Sequence, residues 1–227
     1  MCVGVKAEKA NILKALKNKD AVVIGPGFGT SESAQGLLKI VLEVSAKLKL
    51  PIVIDADAIN ILSTNTAWQK SLPKKSILTP HPAEMARLVS LETSKVQEDR
   101  LAVAEGIAKK LDSVVILKGA RTVIACPENG LFINPTATAV LGTAGSGDVL
   151  SGIIGAFLAQ GFNQLEATII AVYAHGQAAQ SLEKKKGQYG ILASDVGKQV
   201  PIVLNKLLIK KPDLLRMIKS VGAPIKG

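Results

Sequence analysis

The chain is 227 residues long, 48% hydrophobic but only 3% aromatic, with a net charge of +10. That apolar fraction excludes a disordered chain, and the length suits one large domain with a core of Val, Ile, Leu and Ala. Scarce stacking aromatics and dispersed lysines argue against a nucleic-acid reader. No run is apolar for long enough to cross a bilayer.

In chain order, residues 6–19 read as a short polar helix. Ala21–Ile24 is a buried strand that enters the loop Gly25-Pro-Gly-Phe-Gly29. Thr30 and Ser31 can cap a helix over Glu32–Leu48. Pro51–Ile54 is a second strand, ending at Asp55-Ala-Asp57, and Ile77–Thr79 a third, ending at Pro80-His-Pro82. A helix from Pro82 or Ala83 to Leu91 follows, with Pro in its first turn. Lys95–Leu111 reads as one amphipathic helix and Ser113–Leu117 as a fourth strand, ending at Lys118-Gly119. Thr122–Cys126 and Leu131–Ile133 form a hairpin across Pro127–Gly130. A loop rich in Thr, Ala and Gly then runs from Asn134 to Gly147. Helices are expected over Asp148–Gln160 and Leu165–Leu182, and one or two more over Ala193–Leu208. The basic tail (Lys206, Lys210, Lys211, Arg216, Lys219, Lys226) reads as a solvated helical face.

Strands alternating with helices predict an α/β fold with a mostly parallel sheet and a single domain over 1–227. Open sheets of this kind bind ligands off the carboxyl ends of their strands. All four strands end there in Gly, Asp, His or Lys. Cys2 and Cys126 are far apart and fit no metal-ligand spacing, which suits a reducing cytoplasm. The first residues lack the features of a signal peptide.

The strongest chemical signal is Gly142-Thr-Ala-Gly-Ser-Gly-Asp148-Val-Leu-Ser-Gly152. Small residues let a ligand approach the backbone, and a helix start offers free N–H groups to an anion. An acid at that point is either a cap or a functional group, and the surrounding pattern favours function. Lys118, directly after a buried strand, can neutralise a phosphate. In Thr79-Pro-His-Pro-Ala-Glu84, His81 stands on the same rim and Glu84 can hold Mg²⁺ through water. The Gly25–Gly29 loop is neither a dinucleotide fingerprint nor a Walker A. Asp55 and Asp57 either polarise a ligand or cap the next helix. His175, among small residues in mid-helix, reads as packed and hydrogen-bonded rather than ligating.

These motifs occur in one order: IGPGFG at 24–29, IDADAIN at 54–60, LTPHPAEMARL at 78–88, LKGART at 117–122, NPT at 134–136, TAGSGDVLSGIIGAFLAQG at 143–161, AVYAHGQAA at 171–179 and ASDV at 193–196. Together they resemble the ADP-dependent NAD(P)H-hydrate dehydratase family, a branch of the ribokinase-like superfamily. The resemblance implies a three-layer α/β/α fold and dehydration of hydrated NADH or NADPH at the expense of ADP or ATP, with Mg²⁺. It implies nucleotide binding by Lys118, Gly119, Ala120, Arg121 and Thr122, and by the Gly145, Ser146 and Gly147 loop. Gly29, His81 and Asp148, with Gly27 as an addition, would contact the hydrate, and Asp148 would be the catalytic base. A homo-oligomer, with tetramers common in the family, and an NAD(P)H-hydrate epimerase partner are also implied.

Two departures stand out. Ala137–Gly142 replaces the family's usual GNPGMA portion, and Ala144 stands where Gly is usual. The family's opening strand and glycine-serine turn have no counterpart before residue 1. Met1 is therefore expected to be an internal start, with nucleotide binding retained and dehydratase activity weakened. Two other readings use the same loop: a small-molecule kinase that leaves the phosphoryl group on its product, and a nucleotide-binding homologue without catalysis. TPHPAE and IDADAIN favour the dehydratase.

Overall fold

The computed structural model describes residues 4, 7–65 and 67–210. Met1, Cys2 and the tail lysines and arginine from Lys211 to Lys226 lie outside the described residues. The elements are α1 (Lys9–Leu16), β1 (Val22–Ile24), α2 (Glu32–Leu48), β2 (Ile52–Ile54), α3 (Ala56–Ser63), β3 (Ile77–Leu78), α4 (Pro82–Val89), α5 (Thr93–Glu98), α6 (Arg100–Leu111), β4 (Val114–Leu117), β5 (Val123–Cys126), β6 (Gly130–Ile133), α7 (Ser146–Ala159), α8 (Gln164–Lys186) and α9 (Ala193–Lys210). Short 3₁₀ turns occupy Trp68–Ser71 and Ala139–Gly142.

The six strands lie side by side in sequence order. β1 to β4 run parallel, and β5 and β6 return as an antiparallel hairpin. Alternation of side chains along each strand sends them to two faces. Ile52, Ile54 and Leu78 pack with Leu38, Leu42 and Ile59 of α2 and α3. Val115, Leu117, Val123 and Ala125 extend that face against Met85, Ala104 and Ala108 of α4 and α6. On the other face, Val53, Ile77, Val114, Ile116 and Ile124 meet Leu150, Ile154, Ile170 and Ala171 of α7 and α8. The result is the expected three-layer α/β/α arrangement. A Cβ at Gly155 would overlap Val23, so glycine lets α7 lie directly on β1.

Three local readings change. The helix expected over Lys95–Leu111 is two helices meeting at Asp99, whose backbone leaves helical geometry (φ −140°, ψ 72°) and whose carboxylate caps Ala102 N–H at 2.9 Å. No Gly or Pro marks the break. α7 starts two residues early because Gly145 (φ 82°) closes the loop ahead of Ser146, so Asp148 stands within the first turn. α9 is one helix that continues through Pro201.

Candidate active site

The parallel strands deliver their ends to one rim. Asp55 follows β2, Thr79 to His81 follow β3, and Lys118 follows β4. Neighbouring strands are about 4.8 Å apart, so β2 and β4 are separated by the width of β3. Lys118 spans that gap. Its Nζ donates to Asp55 Oδ1 at 2.7 Å and stands 3.7 Å from Glu84 Oε2. The Asp55 side chain is 1% exposed and that of Lys118 19%. Asp55 Oδ2 also accepts from Ser151 Oγ on α7 at 2.6 Å, and Oδ1 from Ala56 N–H at 2.9 Å. Burial works to raise the Asp55 carboxyl, but Lys118, Ser151 and Thr79 outweigh it and hold the group below its ordinary value.

This cluster docks the start of α7. A Cβ on Gly147 would lie 3.3 Å from Lys118 Nζ, so the lysine lies against the first turn of the helix. Ser146 anchors that turn, with its hydroxyl donating to Leu141 O at 2.6 Å and its N–H to Thr143 O at 3.1 Å. The N–H groups of Gly145, Gly147 and Asp148 meet no acceptor among the described residues. Free donors at a helix start beside an ammonium group make an anion site.

A cleft of about 520 Å³ opens over these groups. Of the residues proposed from sequence, His81, Lys118, Gly119, Ala120, Thr122, Ser146 and Gly147 line it. Arg121 does not; it sits at φ 54° with its N–H bonded to Thr136 O at 3.3 Å. Gly145 and Asp148 are exposed beyond the cleft wall. Gly27 and Gly29 also lie outside it, and Gly29 N–H donates to Asp57 Oδ2 at 2.8 Å. Asp55 and Asp57 thus tie two halves together, one to Lys118 and one to the Gly25–Gly29 loop. A Cβ on Gly25 (φ 121°) would overlap the Asp55 carbonyl, which explains that glycine.

His81 caps α4. Its Nδ1 accepts from Ala83 N–H (3.2 Å) and Glu84 N–H (3.3 Å), while Glu84 Oε2 accepts from His81 N–H (2.7 Å). An accepting Nδ1 places the imidazole proton on Nε2, which faces Glu84 Oε1 at 3.3 Å. Burial, with Lys118 and Arg87, pushes the imidazole below its ordinary value against the pull of Glu84 and Asp55. Glu84 is buried and both its oxygens are engaged. The described residues contain no group of three His, Cys, Asp or Glu able to cage a metal. With both oxygens so engaged, Glu84 would reach a hydrated Mg²⁺ only through an intervening water.

His175 is buried as expected and lines the cleft. Its Nε2, however, has no hydrogen-bond partner among the described residues. Burial pushes the imidazole down to about 4, with Lys118 adding to the shift and the Ser146 backbone opposing it. Gly176 beside it admits Asn134 and Thr136, whose contacts a Cβ would displace.

Residues 1–202 match the family described as NAD(P)H-hydrate dehydratase. The chain belongs to that family. Among NAD(P)H-hydrate dehydratase relatives, the ADP-dependent (S)-NAD(P)H-hydrate dehydratase of Neisseria meningitidis is 38% identical over 206 residues, which are 89% of this chain and 69% of that protein. The bifunctional NAD(P)H-hydrate repair enzyme Nnr of Moorella thermoacetica is 40% identical over 196 residues, 86% of this chain. The chain spans 36% of that relative's length. The crystal structure of the ADP/ATP-dependent NAD(P)H-hydrate dehydratase from Bacillus subtilis, co-crystallised with ATP/Mg²⁺, superposes with a TM-score of 0.73 at 31% identity, covering 86% of this chain and 69% of that one. The fold is ribokinase-like.

Sequence reading left Asp55 undecided and missed Ser151 and Arg100. Asp55 carried a weak signal, an acid directly after a buried strand. Ser151 stands one helical turn after Asp148 and Gly147, a spacing that puts it on the same flank. Arg100 carried none; at the first position of α6, its guanidinium reaches the carbonyls of Leu117, Lys118 and Ala120 at 2.7–3.3 Å.

Proposed function

We propose that the protein dehydrates hydrated NADH or NADPH, using ADP or ATP and releasing AMP or ADP with phosphate. The observation that carries this reading is the locked contact of Lys118 with Asp55 against the start of α7, one residue from Asp148, over a cleft of nucleotide size.

The nucleotide lies across Lys118–Thr122 with its phosphates toward Gly145 and Gly147. Lys118 and the free N–H groups hold the charge that grows on the phosphoryl group in transfer. Asp148 takes the proton of the ring hydroxyl as that oxygen attacks the terminal phosphorus, and the bond to the leaving nucleotide breaks. The ring nitrogen then supplies the electron pair that expels phosphate in place of hydroxide, which leaves an iminium, and loss of a proton from the adjacent ring carbon to solvent forms the double bond and returns the pair to nitrogen. His81, Gly27 and Gly29 shape the hydrate side. Mg²⁺ bound with the nucleotide offsets phosphate charge. We further propose a cytoplasmic homo-oligomer, with a tetramer as the expected form, working beside an NAD(P)H-hydrate epimerase.

Phosphate release is the test. With hydrated NADH and ADP or ATP, stoichiometric phosphate and NADH are expected. A phosphorylated product that persists would instead establish a small-molecule kinase. Nucleotide bound with its phosphates at Gly25–Gly29 would overturn the proposed site.

A further inference from the structure

The loop after β4 has an unusual carbonyl arrangement. Arg100 Nη1 donates to Ala120 O at 2.7 Å, and Nη2 to Leu117 O at 3.0 Å and Lys118 O at 3.3 Å. Gly119 O is taken by the Thr122 hydroxyl at 3.1 Å. Every carbonyl from Leu117 to Ala120 is therefore drawn to the protein side. In a trans peptide the carbonyl and the next N–H point in opposite directions. The N–H groups of residues 118 to 121 must face the other way. Two of them have protein acceptors, Lys118 N–H on Pro80 O and Arg121 N–H on Thr136 O. The two between, on Gly119 and Ala120, have none among the described residues, and both residues line the cleft.

Arg100 has no carboxylate partner among the described ion pairs, and its Nε is buried without an acceptor. A cation held by carbonyls alone costs desolvation that packing by an aliphatic side chain would avoid. It also places positive charge directly behind the nucleotide loop. A Cβ on Gly119 would lie 3.0 Å from Arg100 Nη2, so the guanidinium sits directly against this loop. Lysine offers a point charge and cannot span three carbonyls as the planar guanidinium does.

We propose that Arg100 is a positioning residue for adenine-nucleotide binding: it holds the carbonyls of Leu117 to Ala120 away from the cleft and so aims the Gly119 and Ala120 N–H groups at the nucleotide. This inference rests on the reading of the cleft as a nucleotide site.

The test uses the full chain with Arg100→Met and Arg100→Lys. ADP affinity is measured by calorimetry, KM and kcat for ADP and for the hydrate by phosphate release, and folding by thermal denaturation. Arg100→Met is expected to raise Kd and KM for ADP about tenfold, the scale of one charge-assisted hydrogen bond. KM for the hydrate stays within about threefold. Arg100→Lys falls between Met and wild type, and carries the test alone if Arg100→Met does not fold. A lowered Tm with wild-type ADP affinity in the folded fraction overturns the inference, as does an equal rise in both KM values. Wild-type protein that fails to bind ADP or ATP at millimolar concentration overturns the functional reading and this inference with it. Wild-type binding with unaltered Arg100 variants overturns the inference alone.

Discussion

The two halves of the candidate site differ in how firmly they are held. On the nucleotide half, Lys118, Asp55 and Ser151 form a buried chain of contacts at 2.6–2.7 Å, and Arg100 fixes the adjoining loop. On the other half, the Asp148 side chain is exposed and makes no hydrogen bond to a described residue, and the Gly27–Gly29 segment is held by the Gly29 N–H on Asp57 and by Phe28 against the core. The difference is physical. A group that orients phosphates works best if it cannot move. In its proposed role as base, Asp148 would make its decisive hydrogen bond to the substrate hydroxyl, a contact that forms only in the complex.

The largest effect should come from the open half. Asp148→Asn is expected to leave ADP affinity within a few-fold of wild type and to lower kcat about 10²–10⁴-fold, the usual loss for a general base. Single-turnover phosphate release checks this; turnover within a few-fold of wild type removes Asp148 from the chemistry. On the locked half, Asp55→Leu leaves the half-buried Lys118 with only Glu84 at 3.7 Å, and a loss of about 1–3 kcal/mol in denaturant unfolding is expected. Pairing it with Lys118→Met should recover most of that stability but not nucleotide binding. Recovery of both would mean that the pair serves the fold alone.

His175 sharpens the contrast through pH. Its imidazole is held near 4 when folded, against about 6.5 when unfolded. The unfolded chain therefore binds more protons between those values, and stability falls as pH drops from 6.5 to 4. The linked loss is about 3 kcal/mol. His175→Gln should flatten unfolding free energy across that window, and an unchanged slope would assign the acid sensitivity elsewhere. The smallest effect concerns Ala56, which sits at φ 47° between the two aspartates. A left-handed alanine costs about 1–2 kcal/mol, so Ala56→Gly is expected to be neutral or slightly stabilising. A loss of more than about 1 kcal/mol in the same unfolding assay would show that this backbone is not under strain.

The sequence by itself determined the layers and the rim. Apolar runs such as Ile52–Ile54 and Val114–Leu117 are short, unbroken and β-branched, which marks strands buried on both faces. Gly, Asp, His and Lys after those runs identified the ligand edge, since strand ends in a parallel sheet collect there whatever their separation in the chain. Small residues before Asp148 marked a helix start, and the Gly147 and Asp148 N–H groups there meet no acceptor among the described residues. The tertiary structure alone decided what those residues do to one another. Asp55 and Lys118 are 63 residues apart, and only the strand order β2-β3-β4 brings them to 2.7 Å. The break at Asp99 carries only the weak signal of an acid able to cap a helix, yet it sets where Arg100 begins its helix. Pairing of distant charges and aiming of backbone dipoles depend on how elements pack, and a pattern read along one strand or helix carries no information about its neighbour across the sheet.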